Sequence, residues 1–208
     1  MKHLTGILVM AAIVVASNIL VQFLLLDGIL TWGAFSYPLA FLVTDLMNRI
    51  YGPAAARRVV LAGFVVGIVC SLIGSQIMLK FGPAVPLRVA VASATAFLVA
   101  QLLDVAIFDR LRGGAWWRAP LVSTLIGSVV DTALFFTIAF SASITVFGAG
   151  ADAAINWAWE GAPFMLLGPV APLWVTLAVA DWTVKLAVAL VALIPFRLIS
   201  AKYSRPMP

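Results

Sequence analysis

Apolar runs too long for a soluble core to hide set the terms for this chain. Leu4 to Leu26 and Val59 to Leu79 each pass without one charged side chain. A helix crossing a bilayer needs about 20 mostly apolar residues. Backbone polar groups in hydrocarbon must be paired within the spanning element, which leaves helices or closed barrels. Barrel strands would alternate in and out over about 10 residues, and these runs do not alternate. Of 208 residues, 64% are hydrophobic and 10% charged, against roughly 25% charged in a soluble domain. An all-α integral membrane bundle of six transmembrane helices is expected, as a single transmembrane domain over 1–208. The spans are placed near 4–26, 30–50, 59–79, 87–108, 119–147 and 169–198. Turns separate them at Asp27-Gly28, Gly52-Pro53, Phe81-Gly82-Pro83 and Arg112-Gly113-Gly114. The one long connection, 148–168, carries Asp152, Asn156, Glu160 and two tryptophans, a composition suited to an interfacial helix. The first run exceeds the 7–15 apolar residues typical of a signal peptide, so its retention in the membrane is expected.

Orientation follows from the basic residues. Lys2, Arg49, Arg57, Arg58, Arg110, Arg112, Arg118, Arg197, Lys202 and Arg205 fall on one side of these spans. Lys80 and Arg88 fall on the other, and Lys185 lies within a span. By the positive-inside rule both termini are expected in the cytoplasm. The net charge of +5 therefore reads as topology, and a nucleic-acid surface is not indicated. Cys70 stands alone and excludes an intrachain disulfide, while His3 as the single histidine excludes histidine-cluster metal sites and triads.

Pro38 interrupts the second run, where it removes a backbone donor and crowds the preceding turn; the span is expected to break or kink there. Gly63 and Gly67 form GxxxG, continued by Ser71. Such a face serves close helix packing within the bundle or a homodimer. Residues 41–48, FLVTDLMN, and 97–104, FLVAQLLD, share four of eight positions and suggest a parallel duplication.

The residues that point to function are those that do not belong in oil. Asp45, Asp104, Asp131, Asp181 and Lys185 all lie within the expected spans. Each would cost about 2.5–3.5 kcal/mol at a lipid-facing helix centre. They must face the interior, pair, or line a wet cavity. Asn18/Gln22 and Asp181/Lys185 are spaced i,i+4, and Asp45/Asn48 and Gln101/Asp104 i,i+3, so each pair shares a helical face. Asp131 adds a fifth helix. One shared polar cavity near mid-depth is expected, as in solute carriers. Asp45, Asn48, Gln101, Asp104, Asp131, Asp181, Lys185, Asn18 and Gln22 are its candidate substrate-binding residues.

The stretch Phe35-Ser36-Tyr37-Pro38 through Asp45, Asn48, Tyr51-Gly52 and Arg57 resembles the queuosine precursor transporter family, also called vitamin uptake transporters. So do Arg88-Val89-Ala90 with Ala92-Ser93, Gln101-Leu102-Leu103-Asp104, the segment from Trp117 to Asp131, and Asp181 with Lys185. This resemblance covers nearly the whole chain. It implies import of 7-deazaguanine bases, such as 7-cyano-7-deazaguanine, across the bacterial inner membrane for tRNA queuosine salvage. The family also looks like the substrate-binding subunits of energy-coupling-factor vitamin transporters, and a subunit of that type is the alternative reading. A guanine-like base presents N1–H beside an exocyclic amine, a pair of donors that carboxylates can accept. Its carbonyl calls for a donor such as Lys185, Gln101 or Asn18, and its flat face for a wall such as Phe41, Phe97 or Trp182. Proton coupling through a buried carboxylate is a further expectation.

An intramembrane enzyme is disfavoured. Asp45-x-x-Asn48 with Arg57, and Gly127-x-x-x-Asp131, echo the spacing of CDP-alcohol phosphotransferases, but too few hard oxygen ligands remain for a metal pair. No P-loop, HExxH or GxSxG occurs. No catalytic residue, metal or cofactor is expected.

Overall fold

The computed structural model describes residues 3–80 and 82–203; Lys2, Phe81 and Arg205 fall outside them. Helix α1 spans Leu4–Leu20 and is followed by a two-stranded hairpin, β1 (Leu24–Leu25) and β2 (Leu30–Thr31). A short α2 (Gly33–Ser36) leads into α3 (Leu39–Tyr51). Next come α4 (Pro53–Gln76), the hairpin β3 (Met78–Leu79) and β4 (Gly82–Pro83), and α5 (Leu87–Leu111). The last third holds α6 (Arg118–Phe140), a single turn α7 (Ala149–Ala153), the hairpin β5 (Gly161–Pro163) and β6 (Val170–Pro172), and α8 (Leu173–Tyr203).

Helices α4, α5, α6 and α8 are each long and apolar enough to cross a membrane. α1, at 17 residues, rises about 26 Å at 1.5 Å per residue. The second expected span is α2 plus α3, and Pro38 decides its shape. Tyr37 and Pro38 keep right-handed helical dihedrals, so the chain kinks and does not unwind. Tyr37 N–H still bonds Gly33 O in the α pattern, whereas Ala40 and Phe41 N–H reach only three residues back, to Tyr37 O and Pro38 O. A missing donor at Pro38 forces this tightening.

The chain thus repeats one plan three times: a helix, a tight antiparallel hairpin, and a helix back. All three hairpins sit at one end of the bundle. The other end gathers arginines: Arg49 Nη1 donates to Arg112 O at 2.8 Å, Arg197 lies 5.0 Å over the Trp116 ring, and His3 meets Tyr51 edge-on. At this basic end a single residue, Gly52, joins α3 to α4. Its φ of 86° and ψ of 172° belong to a region open essentially to glycine alone. Pro53 then starts α4 at the position where a missing N–H costs nothing.

The two similar segments lie side by side. Thr44 Oγ1 donates to Gln101 Oε1 at 2.6 Å, and Asn48 Nδ2 donates to Val105 O at 3.0 Å. Four residues along α3 match four along α5, so the two helices run parallel. The GxxxG face is used within the bundle: a Cβ on Gly63 would meet Met10 Cγ at 2.6 Å and Phe97 Cζ at 3.2 Å.

Arg88, counted from sequence among the basic residues marking the far side of the membrane, is wholly buried. It donates through Nε to Ile138 O and through Nη2 to Ser141 O, and its Nη1 pairs with Asp152 at 2.6 Å. The last carbonyls of a helix lack intrahelical donors, and Arg88 supplies them for α6. Trp159 Nε1 adds a bond to Phe140 O at 2.7 Å. The long connection is therefore not one interfacial helix but a cap of short turns and a hairpin fastened onto α6.

Gly127 of α6 faces both α3 and α5. A Cβ there would stand 2.8 Å from Phe41 Cε1 and 3.5 Å from both Ala100 O and Asp104 Cβ. Gly127→Val is expected to destabilise the fold by about 1–3 kcal/mol through overpacking. Gly150→Ala, which meets nothing within 4 Å, should change little. Thermal unfolding in detergent reads both.

Candidate functional site

A cavity of about 110 Å³ opens between α1, α2, α5, α6 and α8 on the hairpin side of the kink. Asn18, Tyr37, Ser93, Asp131, Asp181 and Lys185 line it, with Phe135 and Ala96 as apolar wall. Val21 and Thr31 place its rim near the first hairpin. The volume exceeds by several-fold what one water needs.

Its floor is a charged triad. Lys185 Nζ donates to Asp131 Oδ2 at 2.7 Å, to Asp181 Oδ2 at 2.5 Å and to Thr132 Oγ1 at 2.9 Å. Thr132 Oγ1 passes its own hydrogen to Asp181 Oδ2 at 3.2 Å. An ammonium has three donors, and here all three are engaged. Among the described residues, Oδ1 of each aspartate accepts no hydrogen bond. Two carboxylates against one ammonium leave the triad with one negative charge. The cavity thus offers acceptors and favours a ligand rich in N–H groups.

The nine sequence candidates divide into groups. Asn18, Asp131, Asp181 and Lys185 share the cavity, with one Asn18 amide hydrogen returned to Val14 O. Asp45, Asn48, Gln101 and Asp104 form a second buried cluster nearer the basic end, below Pro38. There Asp45 accepts from Ser123 Oγ at 3.3 Å and Thr124 Oγ1 at 3.2 Å. Gln22 joins neither group; it is exposed, and its Nε2 bonds Ala84 O at 3.2 Å. One shared cavity was expected, and the kink divides it.

The expected aromatic walls also shift. Phe41 lines a tight recess beside Asp45, Phe97 a side recess behind Tyr37, and Trp182 an apolar groove between α6 and α8. Tyr37 and Phe135 take their place in the cavity, Tyr37 braced edge-on against Phe97 at 5.9 Å. Tyr37 and Ser93 were visible in sequence only as parts of family-like stretches; Thr132 and Phe135 gave no signal, because neither is unusual in an apolar helix. Lys185, with every donor used, has none left for a ligand carbonyl; Ser93 is hydrogen-bonded to Tyr37, and the Tyr37 O–H is the donor left on the wall.

Several apolar spans around a charged, open-mouthed cavity define a multi-pass helical transporter of the bacterial inner membrane. The family model described as "Putative vitamin uptake transporter" matches residues 31–199, and the chain belongs to that family. An Escherichia coli (strain K12) protein named "Queuosine precursor transporter" is 34% identical over 196 residues, 88% of this chain and 79% of that protein. A Haemophilus influenzae protein named "Probable queuosine precursor transporter" is 35% identical over 177 residues, 79% of this chain and 66% of that protein. A Bacillus subtilis (strain 168) protein of the same printed name is 31% identical over 130 residues, 53% of this chain and 56% of that protein. No solved structure matches the chain. The relatives are transporters, and this chain is a transporter, not an enzyme.

Removing one partner of a buried ion pair strands the remaining charge, at about 3–5 kcal/mol. Lys185→Met should lower the unfolding free energy by about that amount, read as a lower thermal midpoint in detergent. Adding Asp131→Asn to that variant should recover part of the loss; no recovery would show that the lysine acts through packing alone.

Proposed function

We propose that this protein imports 7-deazaguanine bases, of the kind typified by 7-cyano-7-deazaguanine, for tRNA queuosine salvage. It does so as one six-span domain with both termini cytoplasmic, and the bases enter from the hairpin end. The observation that carries the reading is the pair of unoccupied Oδ1 acceptors on Asp131 and Asp181, held in place by a saturated lysine. A guanine-like edge brings N1–H and an amine to such acceptors, and its carbonyl can meet the Tyr37 hydroxyl. Adenine presents a ring acceptor where guanine presents N1–H, and would set a lone pair against a carboxylate. A site built on hydrogen bonds rejects such a mismatch more strongly than an apolar pocket can. The names of the Escherichia coli and Haemophilus influenzae relatives support the same substrate class. Transport is driven by protons and needs no ATPase partner.

The test is uptake of labelled 7-cyano-7-deazaguanine, first in a queuosine-auxotrophic strain and then in liposomes holding the purified protein alone. Hydrogen bonds to charged groups contribute about 1.5–3 kcal/mol. Asp131→Asn and Asp181→Asn should therefore reduce uptake roughly ten- to a hundredfold. Excess adenine should compete poorly and excess guanine-like base well. Equal inhibition by adenine would sink the recognition scheme. Uptake that needs added energy-coupling components would favour the binding-subunit alternative.

A further inference from the structure

Below the kink the second polar cluster holds two acids with no cation between them. Asp45 on α3 is 2% exposed and Asp104 on α5 is 0% exposed. Their carboxyl groups lie close enough to interact directly, with Ser123 of α6 beside both. Neither carboxyl belongs to an ion pair among the described residues. Arg49, one turn further along α3, feels the charge of Asp45 without pairing with it: its Nη1 donates to Arg112 O, its Nη2 is buried without a hydrogen bond, and its guanidinium lies against the Phe108 and Phe196 rings. From α6 come the hydroxyls of Ser123 and Thr124, and from α8 the apolar Ala189, Leu193 and Phe196. The charged triad of Asp131, Asp181 and Lys185 stands on the other side of Pro38 and carries one net negative charge.

Two further groups in this cluster lack partners. Oδ1 of Asn48 and Nε2 of Gln101 are buried without a hydrogen bond. Asn48 is fixed there by its bond to the carbonyl of Val105, the neighbour of Asp104, and Gln101 by its bond from Thr44. Unpaired buried polar atoms are costly, and here they surround two acids in contact. Two carboxylates touching in a low-dielectric interior cannot both stay ionised. A positive charge has to be accommodated, and space determines which one. The recess beside Asp45 has a volume of about 10 Å³, at or below what a single water requires. A proton needs no room; a hydrated metal cation does.

We infer that the Asp45–Asp104 pair is the coupling-proton site of this transporter, separate from the cavity that holds the base. The inference rests on the importer reading above. One proton joins the pair from the hairpin side, travels with one neutral base, and leaves at the basic end. The pair then returns empty, having moved one positive charge inward. The site's position suits the task, because Pro38 lines its recess while the adjacent Tyr37 lines the cavity.

The test separates exchange of base from its accumulation. Purified wild-type and Asp104→Asn proteins are placed in sodium-free liposomes loaded with unlabelled 7-cyano-7-deazaguanine for exchange, or left empty for accumulation. Exchange needs the cavity alone; uphill accumulation needs the proton. In wild type an inward proton gradient should drive accumulation, and adding base should acidify a pH indicator in the lumen. Asp104→Asn should keep exchange within about twofold and lose gradient-driven accumulation by tenfold or more, with Asp45→Asn behaving alike. Accumulation driven by sodium in place of protons, or retained in Asp104→Asn, would overturn the assignment and leave the importer reading intact. Loss of exchange together with accumulation would place Asp104 in binding or folding and likewise overturn it. Should the variants not fold, lumen acidification in wild type decides alone: absence of acidification during base entry refutes the site. A wild type that exchanges no deazaguanine base would bring down the importer reading first, and this inference with it.

Discussion

A buried ammonium survives between apolar helices only when each of its three hydrogens finds an acceptor, and Lys185 is in that position. It ties α8 to α6 through Asp131 and Thr132, and to its own preceding turn through Asp181. Because the lysine is saturated, it orients both carboxylates and leaves one oxygen of each directed at nothing in the protein. The same contact therefore holds two helices together and creates the cavity's acceptor character. Breaking a pair like this costs far more than its formation contributes, which is why structure and recognition cannot be tuned separately here.

At the hairpin end the governing problem is the backbone. Helix α6 stops at Phe140, short of where the chain can re-enter, and its last carbonyls would otherwise face a poorly hydrated region. Arg88 and Trp159 meet them with side-chain donors, and Asp152 balances the arginine. The three hairpins pair their own backbones in the least chain. The exposed Leu167 and Val170 can then sit at a membrane boundary without exposing unpaired amides.

Much of this was legible from the residues. Charges within apolar runs pointed to interior faces, and Asp131, Asp181 and Lys185 do meet. The spacing of Asp45/Asn48 and Gln101/Asp104 placed each pair on one face, and the FLVTDLMN and FLVAQLLD segments do run side by side. Spacing along a helix gives direction but not depth across neighbouring helices, so the division of the polar groups at Pro38 was hidden. Gln22 was misplaced because α1 ends at Leu20, which takes its side chain off the helical face it would have shared with Asn18. Arg88 looked like a topology marker because its partners, two carbonyls and Asp152, lie 50 to 64 residues away. The matches to Tyr37 and Phe135 required three-dimensional contact, since one aromatic ring in an apolar helix looks like any other.

The Gly52 connection has a mechanical implication. With a single residue between them, α3 and α4 share a rigid elbow at the basic end, and α4 in turn is seated against α1 at Gly63. A tilt of the segment carrying Asp45 cannot be absorbed by slack chain and is passed to its two neighbours. Asp131, Asp181 and Lys185 stand on α6 and α8, outside that elbow, while Asn18 and Tyr37 move with it.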